Sequence, residues 1–546
     1  MNRRNFIKLS GLTAASLTPL ARVGTGLALG SQWAISAPVG GGYKALVVVF
    51  LDGGNDAMNM FPPTGTTEHA QYNAIRSIGG MNIAITNLDD STATSPTFTT
   101  DTNGYYVKNN STNHPYYDAP QGGDSKADSA HRSYFKGSYH TTGNTPSIGI
   151  NSMMPELASM YKSGKVSLVS NVGTLVRPTT QAQISSGSAE LPVFLFAHNH
   201  QKRAVYTAQA EKLGTVGWAG KIADDWGVNA PVGLNITYSD INRMMIGTST
   251  SALKMPTSNP ISFETAYNEP RERGDIWESL LNRFNGVSNS NAFSSYYAGK
   301  MKKAGELSTL LVTGMNSAPD FSTFTAKNTY GDSLFSFERS GVGDYMKDIV
   351  ELEIHDELRE GIFQQFEATA KMIKVGKDEL NHTRHIFYIR MPGYDSHSGQ
   401  ASNHLNNLRA LSMAVSDFQK AIDEMGMGEE VLTVSLSDFG RTLKNNSDGT
   451  DHGWGGHSFI MSSATAFQGG NILGTVMDDL RLNGVNTYTE KGRIIPTTSI
   501  EQMLAPCLKW FGVDDALMAT ALPNLTNFRA NSTPESAFLQ GVFSTT

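Results

Sequence analysis

Four strand-like runs predict the core of the fold. They span residues 45–51, 166–172, 386–391 and 431–436, and the first of them is a continuous apolar, β-branched run without polar alternation. Runs of this kind are typical of strands buried on both faces, as in a parallel sheet covered by helices. Helical patterns lie between them at 155–162, 345–374 and 404–424. The order of strand, helix and strand predicts an α/β fold with a mostly parallel central sheet.

Polar residues with metal-binding chemistry follow three of these runs. The first run ends in DGGND, the third is followed by MPGYDSHSGQ, and the fourth ends in SDFGR. A glycine-rich loop, SDGTDHGWGGH, then leads into another apolar run at 459–461. Ligands of open α/β sheets bind just beyond the carboxyl ends of the strands, and glycines let a loop backbone approach closely. The candidate metal ligands are Asp52, Asp56, Asp395, His397, Asp438, Asp451, His452 and His457.

The mixture of carboxylates and imidazoles indicates the kind of ion. Such donors suit Zn²⁺, Mn²⁺ or iron ions better than Mg²⁺ or Ca²⁺, which prefer oxygen ligands, and we expect Zn²⁺ or Mn²⁺. If the chain is extended there, Asp395 and His397 direct their side chains to the same face, because strand residues alternate. The pattern predicts one or two divalent metal ions. Two alternatives stay open: an aspartate after a strand often caps the next helix, and a single histidine is usually an ordinary core or surface residue.

Composition argues against several other classes of protein. The 546 residues carry a net charge of −7 without a long basic run, so nothing indicates a nucleic-acid surface. After the N-terminus, no apolar run approaches the ~20 residues of a membrane span. The sequence lacks G-x-S-x-G, H-E-x-x-H, P-loop and G-x-G-x-x-G motifs. The single cysteine, Cys507, permits no internal disulfide, and its apolar surroundings predict a core residue.

The N-terminus has the pattern of a twin-arginine export signal. Arg3 and Arg4 precede a weakly apolar stretch rich in Gly, Ala and Thr. This pattern predicts a signal peptide over 1–37, export by the twin-arginine translocase and a periplasmic location. The alternative is an N-terminal tail with two adjacent arginines by chance. We expect residues 38–546 to form one α/β domain with a Ser/Thr-rich insertion at about 89–147.

Several segments together resemble a known family. The most specific are SDFGRTLKNNSDGTDHGWGGHSFIM and GYDSHSGQ, and further support comes from FLDGGNDAMN, PELASMYKSGKVSLVSNVG, LFAHNHQ, GTVGWAGKIADD and IPTTSIEQMLAPCLKWFGV. The chain resembles the exported bacterial family called domain of unknown function 1501, which is grouped with the alkaline phosphatase and sulfatase superfamily. The resemblance implies a three-layer αβα sandwich of the alkaline-phosphatase type. It also implies a two-metal centre with a Ser, Thr or modified Cys nucleophile.

The resemblance assigns expectations to individual metal ligands. Asp438 matches the strand-end aspartate of the superfamily's S-D-H-G pattern, and Phe439 stands in place of the histidine of that pattern. One ligand is therefore missing or moved. Two positions have alternatives: His452 or His457 for the late histidine ligand, and Asp52 or Asp56 for the acid after the first strand.

The nucleophile departs from the pattern of the family. Many relatives carry a Ser-His pair where this chain has Ala197 and His198. Hydroxyl groups at Thr174, Thr179 and Thr180 lie nearer the end of the second strand, and nothing in the sequence singles one out. We take Thr174 and His198 as the candidate catalytic residues of this region. A water activated by the metal is the alternative nucleophile.

These expectations combine into two functional hypotheses. The first is an exported, metal-dependent hydrolase of phosphate or sulfate esters, in which Arg441 binds an oxygen of the anionic ester substrate. A structural salt bridge is the alternative role of Arg441. The second hypothesis is a non-catalytic exported binding or assembly protein that retains the fold, and the missing serine favours it.

Overall fold

A computed structural model describes residues 37–80, 83–85, 87–88, 138–142, 148–258, 260, 292–329, 333–336 and 357–544. The predicted signal peptide, apart from residue 37, and most of the predicted insertion lie outside these residues. The strands are β1 (Lys44–Leu51), β2 (Asn87–Leu88), β3 (Ser138–Thr141), β4 (Gly149–Asn151), β5 (Val166–Gly173), β6 (Asn235–Thr237), β7 (Leu253–Lys254), β8 (Arg384–Met391), β9 (Val431–Ser437), β10 (Arg441–Asn445), β11 (Thr450–His452), β12 (Gly456–Met461), β13 (Ile472–Leu473), β14 (Thr487–Tyr488), β15 (Arg493–Ile494) and β16 (Thr498–Ser499).

The α-helices of the described residues are α1 (Ala57–Met60), α2 (Thr66–Arg76), α3 (Pro155–Lys162), α4 (Gln181–Ser185), α5 (His198–Thr207), α6 (Trp218–Trp226), α7 (Ala292–Met315), α8 (Glu357–Asp378), α9 (Gln400–Glu424), α10 (Ile500–Phe511) and α11 (Asp515–Ala521). Short 3₁₀ helices cover Arg243–Met245, Phe321–Thr323, Pro523–Phe528 and Pro534–Ala537. None of these helices combines the length and the apolarity that crossing a membrane requires.

A nine-stranded sheet lies at the centre of the protein. Its order is β13-β5-β12-β9-β1-β8-β6-β7, and β16 also pairs with β5. Within this sheet eight strands run parallel to one another, and β12 is antiparallel to its neighbours β5 and β9. β1 pairs with β8 on one side and with β9 on the other, so it is a central strand. The predicted α/β fold with a mostly parallel sheet is confirmed.

Alternate residues of β1 enter two hydrophobic cores on opposite faces of the sheet. Val47 and Val49 pack with side chains of α3, α8 and α9, whereas Val48 and Phe50 pack with side chains of α6, α10 and α11. Strand residues alternate faces, so an unbroken apolar run supplies both cores at once. Complete burial of one such side chain contributes about 1.5–3 kcal/mol relative to its exposure.

The predicted elements agree with the structure more closely for strands than for helices. Each predicted strand end lies within two residues of the observed one. The helix predicted at 404–424 begins four residues earlier, at Gln400, directly after Gly399 in a left-handed conformation (φ 61°). The helix predicted at 345–374 is observed as α8, which ends at Asp378, and residues 345–356 lie outside the described residues.

The carboxyl ends of the parallel strands carry the candidate site. Asp52 and Asp438 directly follow β1 and β9, and Asp395 lies four residues after β8. The segment that we expected to be a glycine-rich loop instead contains β11, which pairs antiparallel with β10, and in this pair Arg441 is the partner of His452. An Asn-Ser-Asp-Gly turn connects the two strands, and these are residue types that favour turns. The hairpin brings His452 back to the sheet edge.

Candidate metal centre

Three imidazoles and one carboxylate converge at this edge of the sheet. His198 Nε2 lies 3.0 Å from His452 Nε2, and His397 Nε2 lies 2.9 Å from the same atom. Asp395 Oδ1 lies 3.2–3.5 Å from all three Nε2 atoms. The donor atoms of His198, Asp395 and His452 lie within 4.8 Å of one another, a spacing that one metal ion can bridge. We call these four residues the histidine cluster.

Three different segments deliver the histidine cluster. His198 is the first residue of α5, Asp395 and His397 lie in the loop between β8 and α9, and His452 ends β11. Because β8 and β9 are both parallel to β1, the loops that follow them meet at the same end of the sheet. The four side chains are between 22% and 50% exposed, so an ion can reach them from solvent.

Hydrogen bonds to the far ring nitrogens fix the tautomers of two histidines. His198 Nδ1 donates to Asp438 Oδ2, and His452 Nδ1 donates to the backbone oxygen of Phe196 at 2.8 Å. A carboxylate and a carbonyl only accept, so each Nδ1 carries a proton. In the neutral form of such a ring, the lone pair is on Nε2. Metal-binding histidines are oriented in this manner by a second hydrogen bond.

The Nε2 atoms of His198 and His452 therefore face each other across 3.0 Å, and in the neutral forms of the two rings both atoms are acceptors. Two acceptors repel each other, so this contact is stable only when a proton or a metal ion lies between them. Burial is the largest cause that lowers the pKa of His452, and the charges of His198 and Arg441 lower it further. The hydrogen bond to Phe196 raises the pKa but does not offset these causes. A lowered pKa disfavours a second proton on His452, at Nε2. Tetrahedral Zn²⁺ with Zn–N distances of about 2.0–2.1 Å separates two nitrogens by about 3.3 Å, which is close to the observed spacing.

Arg441 holds the carboxylate of the histidine cluster. Its Nη2 donates to Asp395 Oδ1 at 2.5 Å. Burial raises the pKa of Asp395, but the hydrogen bond and charge of Arg441, together with His198 and His397, outweigh burial and lower it. The carboxylate is consequently ionised at neutral pH, which is the form that binds a metal ion.

The position of Arg441 contradicts the predicted contact with a substrate. The guanidinium is completely buried and has the alternative role, a structural salt bridge. Its other hydrogen bonds join the loops after β1 and β8 to the hairpin, because they reach four backbone oxygens, those of Gly53, Gly54, Tyr394 and Thr450.

Asp451 lies behind His397 instead of inside the histidine cluster. Asp451 Oδ1 is 3.6 Å from His397 Nδ1, and its Oδ2 is 2.5 Å from Lys491 Nζ. Burial raises the pKa of Asp451, and the contacts with Lys491 and Asn446 reverse the effect, so the pKa is lowered. Asp451 and Asp438, two of the predicted metal ligands, are thus placed to orient imidazoles from the side away from the cluster.

Asp52 and Asp56 form ion pairs outside the histidine cluster. Asp52 contacts Lys202 Nζ and the guanidinium of Arg390, whose Nη2 is 2.5 Å from Oδ2. Asp56 contacts Arg76 Nη2 at 2.6 Å and caps α1 by accepting from its backbone. The helix-cap alternative therefore describes Asp56. The charges of both aspartates are already balanced by protein cations.

His457 and Thr174 are committed to other contacts. His457 is buried in β12, and its Nδ1 accepts from the backbone N–H of Asn171 at 3.1 Å. Of the two candidates for the late histidine ligand, His452 is the one that lies in the cluster. Thr174 is buried, and its hydroxyl donates to Gln201 Oε1 at 2.5 Å. This contradicts the nucleophile role of Thr174, because the hydroxyl faces an amide instead of a base.

Several residues of the site have no clear signal in the sequence. The ring centre of Phe439 lies 4.6 Å from the ring centre of His198 and 4.9 Å from that of His452. An apolar side chain that packs against both imidazoles therefore occupies the position where the S-D-H-G pattern has a histidine. Lys202 follows His198 by four residues in α5, and helical spacing predicts a shared face for the two. Phe196 adopts a positive φ of 74°, a conformation that bulky residues rarely adopt and no pattern predicts.

Comparisons with known proteins add a family for part of the chain. No protein with a curated description matches the sequence. A solved structure described as "Crystal structure of Ps i-CgsB" is similar over 68% of this chain and 71% of that chain, with 8% identity and a TM-score of 0.26, too low to carry an argument. Residues 379–516 match the model of the family described as "Protein of unknown function (DUF1501)". That segment contains Asp395, His397 and His452, and the match supports the assignment of this part of the chain to that family.

Proposed function

We propose that the histidine cluster binds a divalent metal ion and that the protein is an exported, metal-dependent hydrolase of phosphate or sulfate esters. The observation that carries the metal site is the convergence of donor atoms from His198, His452 and Asp395 within 4.8 Å, with the two Nε2 atoms 3.0 Å apart. An ionised Asp395 beside them supplies negative charge for a cation. The mostly parallel sheet with acids at its strand ends supports an alkaline-phosphatase-like fold.

The donor set favours Zn²⁺ or Mn²⁺ over Mg²⁺ or Ca²⁺. His198, His452 and Asp395 would hold the ion, and a set of imidazoles with one carboxylate is typical of catalytic zinc sites. When bound, such an ion supplies Lewis-acid chemistry at an ester oxygen and activates water. Asp438 and the carbonyl of Phe196 orient the two imidazoles from behind.

Partly exposed cations near the histidine cluster support an anionic substrate. Lys202 and Arg390 share the single carboxylate of Asp52, so the group has a net positive charge. Lys202 lies one helical turn from His198, and the Lys202 and Arg390 side chains are 25% and 39% exposed. Guanidinium and ammonium groups bind phosphate and sulfate oxygens through charge-assisted hydrogen bonds.

His397 is placed to handle a proton during ester cleavage. Its side chain is 45% exposed, with Nε2 directed towards His452 and Nδ1 towards Asp451. A partly exposed imidazole backed by a carboxylate is typical of a general acid or base, which can give a proton to a leaving oxygen. We therefore assign His397 to proton transfer in the proposed reaction.

Among the described residues, neither position 197 nor Thr174 offers a hydroxyl to a base, which supports water as the nucleophile and also favours the second candidate function. Ala197 precedes α5 without a side chain that could attack, and the hydroxyl of Thr174 is bonded to Gln201. A site that binds the ion and the anion but lacks turnover would belong to a non-catalytic exported binding or assembly protein. The two candidates share the metal site and differ only in catalysis.

The test combines metal analysis with an ester screen. The protein is purified gently after export, its ions are quantified, and phosphate and sulfate esters are assayed with added Zn²⁺ or Mn²⁺ and with a chelator. We expect a bound ion and hydrolysis that the chelator removes. His452→Gln is expected to lose both, whereas His200→Gln, in the same helix as His198, should retain them.

The possible results separate the two candidates. A bound ion without hydrolysis of any ester would favour the binding or assembly protein over the hydrolase. Protein that contains no ion, and takes up neither Zn²⁺ nor Mn²⁺ when these are added, would overturn the metal site and the hydrolase together.

A further inference from the structure

The loop before α5 has an unusual backbone at the point where it contacts the histidine cluster. Phe196 has a φ of 74°, in the left-handed region that favours glycine. This conformation costs energy for a bulky residue and persists only where surrounding contacts enforce it. In this conformation the Phe196 backbone oxygen accepts the Nδ1–H of His452 at 2.8 Å. The strained residue thus provides the acceptor that fixes the tautomer of His452.

Arg493 joins the two partners of this hydrogen bond. Its guanidinium carbon lies 4.1 Å from the centre of the Phe196 ring, and its Nε donates to the backbone oxygen of His452 at 2.9 Å. The Nη1 of Arg493 also donates to Thr489 Oγ1 at 3.2 Å. The ring of Tyr488 stacks on the ring of Phe196. One side chain of β15 therefore fixes both the ring of Phe196 and the backbone of His452.

We infer that Phe196 and Arg493 are positioning residues, which hold His452 in the tautomer that has a proton on Nδ1 and a free lone pair on Nε2. Phe196 supplies the acceptor through its left-handed backbone, and Arg493 holds that backbone against β11 by stacking on the ring. Without this arrangement the imidazole can place its proton on Nε2, and the lone pair directed at His198 is lost. The inference rests on the proposed metal site for its consequence, but the tautomer of His452 is independent of any bound ion.

Two variants of Phe196 separate the backbone from the ring. Phe196→Gly and Phe196→Val both remove the stack on Arg493. Glycine adopts a positive φ readily, whereas β-branched valine strongly disfavours it. If the left-handed backbone matters, Phe196→Val should weaken metal binding more than Phe196→Gly. Loss of an outer partner of a metal-binding histidine typically reduces affinity roughly 10- to 100-fold, which is the loss expected for Phe196→Val.

The Arg493 variants complete the set. Arg493→Met removes the charge and the hydrogen bond to His452, and Arg481→Met, at an exposed arginine paired with Asp479, is the control. We expect a roughly 10-fold or larger loss of affinity for Arg493→Met and none for the control. If Arg493→Met does not fold, Arg493→Lys keeps the charge but loses the planar stacking surface.

The experiment measures Co²⁺ affinity by titration and the tautomer of His452 by NMR of ¹⁵N-histidine-labelled, metal-free protein. The expected result is a proton on Nδ1 in the wild type, lost in Phe196→Val and Arg493→Met together with affinity. A wild type that binds no Co²⁺ would overturn the proposed metal site, while the tautomers would still test the positioning roles. Unchanged tautomers in both variants, with or without a change in affinity, would overturn the inference.

Discussion

Replacing Asp438 with asparagine is expected to reverse the tautomer of His198. Asp438 Oδ1 accepts from the backbone N–H groups of Gly53 and Gly54 at 3.2 and 2.5 Å, and Oδ2 accepts from His198 Nδ1. In the variant, the amide oxygen has to stay on the two backbone donors. The amide NH₂ group then faces His198, whose Nδ1 has to accept and whose proton moves to Nε2. The lone pair that faces the ion is lost.

The expected magnitudes follow from the contacts that change. The backbone bonds of residue 438 persist, and one hydrogen bond to a charged acceptor, worth roughly 1.5–3 kcal/mol, is exchanged for a neutral one worth about 0.5–1.5 kcal/mol. The folded state should therefore lose about 1–2 kcal/mol. Metal affinity should fall roughly 10- to 100-fold, which corresponds to about 1.4–2.7 kcal/mol, because His198 no longer presents a donor.

Titration calorimetry with Zn²⁺ and thermal unfolding in a chelator measure the two effects separately. Asp423→Asn is the matched control, since it also neutralises an aspartate, one that lies in α9 and pairs with Lys165. We expect wild-type affinity for the control and weakened affinity for Asp438→Asn. Wild-type affinity in Asp438→Asn would refute the assignment of His198 as a ligand oriented by Asp438.

Three further predictions concern the rest of the chain. Burial lowers the pKa of His457 to about 4 from 6.5, so the unfolded chain binds more protons and stability is lost as pH falls from about 6.5 towards 4. Urea unfolding should show that His457→Gln removes about 2 kcal/mol of the wild-type stability difference between pH 7.5 and pH 5; an equal difference in both proteins would contradict this. Arg409→Met should cost about 3–5 kcal/mol because it leaves buried Glu156 unpaired, and Arg409→Met/Glu156→Met should recover most of this in chemical unfolding. Replacing Arg3 and Arg4 with lysine should abolish export in cell fractionation, and normal periplasmic levels would show that the signal was wrongly predicted.

The strands and two members of the site follow from the sequence by simple rules. The continuous apolar run of β1 has to be buried on both faces, and the strand-like patterns of β5, β8 and β9 belong to the same sheet. Parallel strands then bring their carboxyl ends together, so Asp395 and His397 were expected near the other strand-end acids. The prediction of the sheet succeeds because it depends on local patterns and on one general property of parallel sheets.

The partners of the charged residues could not be predicted in the same way. Arg441 and Asp395 are separated by 46 residues in the sequence, and Asp52 and Arg390 by 338 residues. Both pairs come into contact only because of the fold. Sequence shows that a charge is present but not which opposite charge neutralises it. The backbone conformation of Phe196 could not be predicted either. Tertiary contacts impose a left-handed conformation, which a bulky residue disfavours on its own.

The charge balance around the site argues for one ion instead of two. A second ion would need carboxylates in addition to that of Asp395, and Asp52 and Asp56 are the acids that we expected after the first strand. Asp56 is paired with buried Arg76, and Asp52 with both Lys202 and Arg390. An ion bound there would displace protein cations and leave Arg76 buried without its partner, which is strongly unfavourable. We therefore expect elemental analysis to give one ion per chain, lost in His452→Gln, whereas two ions per chain would contradict this account of the ion pairs.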